Sequence, residues 1–244
     1  MRPLNAQELL LIWEQGMAHP PTRRALGLLA AASPDVSLEH LSTLSIGQRD
    51  EQLLTLREWT FGPQLESVVT CPHCGERLEI NLTVNDLRVA PSPNLESEFG
   101  LSIAGYQVRY RLPNSQDLEL VGTDADTQTA QEILLSRCLL EVVSPPDIAP
   151  STPLPIAVTE AVIAAMEEQD PQADITLALT CPACEHHWEA GFDIVSFFWH
   201  ELTSWARRIL WDVHRLARAY GWSEQEILAL SPTRRQLYLE MVGL

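Results

Sequence analysis

The chain has 244 residues, 45% hydrophobic and 20% charged, a globular balance that excludes a disordered or collagen-like polymer. Its 16 basic residues against 33 acidic ones leave a formal charge of −17, which repels phosphate backbones and anionic lipid, so no nucleic-acid or membrane partner is expected. Every basic residue is Arg, and the lack of Lys removes Schiff-base lysines, lysine general bases and the P-loop.

No run approaches 18 apolar residues, and the start MRPLNAQE lacks a charged-then-apolar signal pattern, so the expected compartment is the cytoplasm. The charge is uneven. Residues 1–87 hold 6 basic and 11 acidic side chains, 88–194 hold 4 and 17, and 195–244 hold 6 and 5.

The first 60 residues read as helices. Leu9, Leu10, Ile12 and Trp13 share one side of a short segment, and Pro20–Pro21 open a second carrying Leu26, Leu28, Leu29 and Ala30 to Ala32. Ser45 with Gln48 has capping-box spacing ahead of Leu53, Leu54, Leu56 and Trp59, and Phe61, Gly62 and Pro63 end that helix. From Leu65 the period changes. Residues 65–70 and 78–84 are β-branched and aliphatic around the turn Cys71, Pro72, His73, Cys74, Gly75, which predicts a hairpin with two thiols at its tip.

Residues 88–99 form a Pro-, Ser- and Asn-rich connector, 103–112 alternate as a strand, and 127–140 read as a helix that buries Cys138 as a structural thiol. Pro145, Pro146, Pro150, Pro153 and Pro155 mark a stiff linker. A second hairpin follows: Ile175, Leu177 and Leu179 lead into Cys181, Pro182, Ala183, Cys184, and Trp188, Ala190 and Phe192 lead out. Residues 194–220 then spell a long helix with Phe198, Leu202, Trp205, Ile209, Val213 and Leu216 three or four apart, ended by Gly221. Ser223 with Glu226, and Ser231 with Pro232, open two final helices.

The two cysteine hairpins superpose at a constant offset of 110: Thr70, Cys71, Pro72, Cys74 and Glu79 recur as Thr180, Cys181, Pro182, Cys184 and Glu189. Two residues between cysteines let both thiols of a tight turn point inward, and two such turns supply the four thiolates of a tetrahedral Zn²⁺. One structural Zn²⁺ per chain on Cys71, Cys74, Cys181 and Cys184 is therefore expected. Glu185 stands where the first copy has Gly75, which makes the second knuckle the less ideal. Disulfides are disfavoured in a chain without a secretion signal. Cys71-Pro72-His73-Cys74 also looks like the active site of a thioredoxin-fold oxidase, but residues 77–82 follow as a strand pattern rather than an activating helix, and the motif occurs twice. His73, His186 and His187 are available as ligands and read as exposed knuckle side chains.

The fold class expected is α+β, with zinc-ribbon-like β hairpins split by an inserted α/β segment and flanked by N- and C-terminal helices. Its boundaries fall at 1–62 (helical), 63–87 (first ribbon half), 88–173 (acidic insert), 174–194 (second ribbon half) and 195–244 (C-terminal helices). Asp124 and Asp126, and Glu167, Glu168 and Asp170, read as solvated charge runs. With no nucleophile, base and orienter pattern and no glycine-rich phosphate loop, the protein is expected not to be an enzyme.

The C-terminal segment alone has no excess of negative charge. Its Arg207, Arg208, Arg215, Arg234 and Arg235, with Trp211, Trp222 and Tyr238, are the side-chain types enriched at binding hot spots and form the candidate partner-binding set. The same residues equally suit a helix pair packed on the ribbon with its arginines in water.

The layout resembles the baseplate hub assembly chaperone family of contractile-tailed phages and contractile injection systems. The resemblance runs over nearly the whole chain and rests on ARAYGWSEQEILALSPTRRQLYLEMV at 217–242, RDEQLLTLREWTFGP at 49–63 and the two CPxC hairpins. It implies a cytoplasmic factor that assists assembly of the hub by binding a baseplate or hub protein, need not remain in the finished particle, and has no catalytic residue. A permanent structural baseplate component is the alternative, and a thiol redox or metal-handling enzyme a second one from another class.

Overall fold

The computed structural model describes residues 1–89, 97–122, 126–146 and 154–243. The chain begins with helices α1 (Ala6–Gly16), α2 (Pro21–Ala32), α3 (Leu38–Thr43) and α4 (Ile46–Phe61), followed by the hairpin β1 (Gln64–Thr70) and β2 (Arg77–Thr83). Next come α5 (Val84–Leu87), β3 (Phe99–Ile103), β4 (Tyr106–Tyr110), α6 (Ser115–Val121), α7 (Thr127–Cys138), β5 (Leu139–Val143) and α8 (Ile156–Gln169). A second hairpin, β6 (Ile175–Thr180) and β7 (His187–Phe192), leads into α9 (Ile194–Tyr220), α10 (Glu224–Leu228) and α11 (Pro232–Met241). The expected α+β class and its zinc-ribbon-like hairpins are what the structure has. Among the described residues no helix is long and apolar enough to cross a membrane.

These elements form two compact units, one of Met1–Val36 with Ile194–Leu244 and one of Ser37–Asp193. In the first unit, Leu10 of α1 packs with Ala206, Ile209, Val213 and Leu216 of α9 and with Ile227, Leu228 and Leu239. Spacings of three and four along α9 line these side chains into one stripe, and its burial holds the helix. Gly16 is required where α1 ends, because a Cβ there would collide with the Trp199 ring. Arg24 lies over the same ring at 4.7 Å, and its Nε donates to the Gly16 carbonyl at 2.9 Å, closing the C-terminus of α1.

The second unit contains both cysteine hairpins. Each is antiparallel, paired from Gln64↔Thr83 to Thr70↔Arg77 and from Ile175↔Phe192 to Thr180↔His187. Between them in sequence lies the sheet β3-β4-β5, covered by α8, where Phe99, Tyr106, Val108 and Tyr110 pack with Cys138, Val158, Val162 and Met166. Gln172 ties the two ends of this inserted stretch together: its Nε2 donates to the Leu87 carbonyl at 3.0 Å, and its Oε1 accepts from the Val89 N–H at 2.8 Å. The Gly47 N–H donates to Asp170 at 2.9 Å, where a Cβ would meet that carboxylate. The insert is thus anchored at the N-terminus of α4.

Several elements differ from their sequence expectation. The strand read at 103–112 is the second arm of a hairpin that turns through Ala104 (φ 50°) and Gly105 (φ 80°). The helix read to 140 stops at Cys138, because Leu139–Val143 pairs with β4 and the Arg111 N–H captures the Cys138 carbonyl at 2.9 Å. Helix α6 was not anticipated, although Asn114 and Asp117 form a capping box with the spacing recognised elsewhere in the chain. Asp117 is fully buried and accepts from Arg111 at 2.6 and 2.8 Å and from Arg137 at 2.7 Å. Helix α8 follows the proline tract directly, with Pro155 at its N-cap. The connector at 90–96, Asp124, and Pro150 and Pro153 of the linker lie outside the described residues.

Candidate metal centre

Each CPxC turn is shaped by the same two backbone hydrogen bonds. In the first, the Cys71 N–H donates to the Glu76 carbonyl at 2.8 Å and the Gly75 N–H to the Cys71 carbonyl at 3.0 Å. In the second, Cys181 donates to His186 at 2.9 Å and Glu185 to Cys181 at 2.8 Å. The fifth position of both knuckles is left-handed, with φ 78° at Gly75 and φ 56° at Glu185, so the second copy puts a carboxylate-bearing residue where glycine is at ease.

The knuckles bring four sulfurs together from positions 107 and 113 residues apart. Cys71 Sγ lies 3.8 Å from Cys184 Sγ, and Cys74 Sγ 3.6 Å from Cys181 Sγ. All four ligand atoms fall within 4.8 Å of one another. A tetrahedron of sulfurs bonded at about 2.3 Å has edges of about 3.8 Å, so the spacing fits a four-thiolate metal ion. All five cysteines are free thiols. Cys71 and Cys181 are buried, Cys184 is half-buried and Cys74 exposed, which closes the cluster on its inner side.

The electrostatics point the same way. Burial opposes the Cys71 thiolate, but the N–H groups of Cys74 and His73 and the adjacent thiols bring it down to about 7. At Cys184 the His186 N–H favours the thiolate, yet burial and the crowding sulfurs of Cys74, Cys181 and Cys71 push it up to about 12. Four thiolates this close repel, and a divalent cation at their centre would let them ionise together.

The histidines stand beside this set. His73 and His186 stack across the two knuckles at 5.3 Å, Trp188 continues the stack at 6.1 Å, and His187 Nδ1 lies 2.8 Å from Thr180 Oγ1. Among the described residues, the group close enough to hold an ion is the four cysteines. Cys138 is elsewhere, on the core of the three-stranded sheet, where burial pushes its thiol up to about 11.

The candidate partner-binding residues sort by burial. Arg207, Arg208 and Arg234 are exposed, and Trp211 is 68% exposed. Arg215 is half-buried, and Trp222 and Tyr238 are half-buried in an aromatic cluster with Tyr220, at 4.6 Å for Tyr220–Trp222 and 4.9 Å for Trp222–Tyr238. Arg235 is buried at 7% exposure, beside Asp212. The periodicity of α11, with Leu239 one turn on from Arg235 and also buried, was the available signal for that inward position.

Residues 28–199 match the model of a protein family described as T4 bacteriophage base plate protein. The matched stretch contains both hairpins and all four clustered cysteines. No curated protein and no solved structure matches the chain.

Proposed function

The chain belongs to the T4 bacteriophage base plate protein family, and on that premise we propose that it is a non-enzymatic assembly chaperone. It binds a baseplate or hub protein of a contractile tail in the cytoplasm, and one structural Zn²⁺ on Cys71, Cys74, Cys181 and Cys184 makes its binding scaffold rigid. The observation that carries the reading is the cysteine cluster. Sulfurs at 3.6 and 3.8 Å from hairpins more than a hundred residues apart suit a four-ligand set, which supports a structural tie and would leave a bound ion no open position for chemistry. A bound ion would hold the two ribbon halves together across the insert, stabilising the unit that presents it.

The C-terminal helices supply the candidate contact surface, led by the exposed Arg207, Arg208, Trp211 and Arg234. Exposed Arg and Trp on a rigid helix suit a protein partner rather than a small substrate.

The family description itself favours a second reading, a permanent baseplate component. One experiment separates the two. The tagged full-length chain is produced together with the structural proteins of its baseplate, and both the captured complex and purified particles are analysed. A chaperone captures a baseplate or hub protein yet is missing from finished particles; a fixed stoichiometry in particles makes it a component. Failure to capture any baseplate protein overturns both.

A further inference from the structure

Helices α9 and α11 enclose a cleft of about 470 Å³ with an unusual lining: the guanidinium groups of Arg208, Arg215 and Arg235, one carboxylate, Asp212, and the rings of Trp205 and Trp211. Arg235 is more than nine-tenths buried, and among the described residues its Nη1 meets no hydrogen-bond acceptor. A buried guanidinium nitrogen without an acceptor is costly, and a second carboxylate is its best remedy, because a carboxylate accepts from the planar fork at two points. Burial lowers the proton affinity of Arg235 against the pull of Asp212. At Asp212, burial raises the carboxyl against the pull of Arg235, Arg215 and Arg208.

We propose that this cleft is a docking site for an acidic segment of a partner protein, an Asp or Glu side chain seated on Arg235 with an aliphatic neighbour against the tryptophans. The local charge suits this occupant. The unit holding the cleft carries 9 basic and 8 acidic residues, while the other carries 7 and 25, so the positive groups able to receive an acid are concentrated here. A phosphodiester polymer would meet the repulsion of a chain at −17 along its length, whereas one or two carboxylates meet only the local field. Trp211, 68% exposed at the mouth, provides the flat apolar wall that an acid on an otherwise apolar segment needs. The proposal deepens the partner-binding reading of the C-terminal helices and rests on it.

The test uses the full-length chain with ¹⁵N-labelled tryptophan, titrated with the capped peptide Ac-Leu-Glu-Asp-Leu-NH₂ and with its uncharged twin Ac-Leu-Gln-Asn-Leu-NH₂. The acidic peptide should shift the indole N–H signals of Trp205 and Trp211, and the twin should need roughly tenfold more to do the same. Arg235→Gln should erase that preference. Because Arg235 is buried, its melting curve is read alongside, and the exposed Arg208→Gln, which leaves the interior untouched, should weaken the acidic peptide several-fold. Equal binding of both peptides, parental binding by both variants, or equal shifts from inorganic phosphate overturn the assignment. So do shifts that track protein concentration without peptide, since they put a second copy in the cleft. The outcome is separable from the functional reading: capture of a baseplate protein without peptide binding sinks the cleft alone, and peptide binding without capture sinks the functional reading and leaves the cleft standing.

Discussion

Glu185 is the residue where the duplicated knuckle departs from its ideal. Its φ of 56° places a side chain in the left-handed region that Gly75 occupies freely in the first copy. Left-handed backbone costs an L-residue about 1 kcal/mol. Glu185→Gly should therefore stabilise the chain by roughly 0.5–1 kcal/mol in denaturant titration, while Gly75→Ala destabilises it by a similar or larger amount. A stability loss in Glu185→Gly would show that its carboxylate contributes more than its backbone costs. Asp50 offers a second test. It is buried beside Arg49, whose Nε donates to it at 2.7 Å, but burial, with Asp193 and Asp170 nearby, raises its carboxyl to about 6. In the unfolded chain the group titrates at about 3.9. The folded state therefore holds the proton more tightly, and this group's contribution is full below about 4 and lost as pH rises through about 6. Stability measured from pH 4 to 7 should fall across that window, and Asp50→Asn should flatten the slope.

Among the elements, the legible ones carry their instructions locally. The boxes Ser45/Gln48 and Ser223/Glu226 and the Ser231–Pro232 start all cap helices as their spacing indicates, and α9 buries the stripe its periodicity spells. Helix α6, with its Asn114/Asp117 box, is as local as these, whereas the β3-β4-β5 sheet depends on neighbours. Strand β5 exists because β4 offers it a ladder, and a lone LLEVV continues a helix as readily as it pairs. The turn between β3 and β4 needs positive φ at Ala104, a residue that gives no turn signal. Gly47 is similar: in sequence it is an unremarkable glycine in a helix, and in the fold it is the point where Asp170 docks on α4. Gly47→Ala, which would usually strengthen a helix, should instead destabilise by about 1–3 kcal/mol, because the added methyl pushes the carboxylate away. Thermal melts of the two chains decide this, and a stabilised Gly47→Ala would show that the insert is not held there.

For the molecule as a whole, the metal proposal makes the sharpest demand. Cys71→Ser or Cys181→Ser should each leave the purified chain with far less than one Zn²⁺ and lower its melting temperature, because either change removes a ligand from a set that spans both hairpins. Chelation of the parent chain should do the same, with the loss concentrated in the Ser37–Asp193 unit, while the helical unit, whose apolar stripe is its own, keeps its helix signal. Elemental analysis and circular dichroism read both effects. A chain that contains no metal when purified without chelator ends the zinc reading.

The candidate ligands were named by the sequence alone, since a repeat of Cys-x-x-Cys at an offset of 110 picks out four thiols before any fold is known. Amphipathic α9, the capped helices and the two hairpins were determined in the same way, because period and capping are properties of a few consecutive side chains. Only the tertiary structure decided that the four sulfurs meet at tetrahedral spacing, that Gln172 ties the ends of the insert, and that the Nη1 of inward-facing Arg235 meets no acceptor among the described residues. Each of these depends on which side chain faces which across more than one turn of chain, a matter of packing geometry between distant segments that no local pattern encodes.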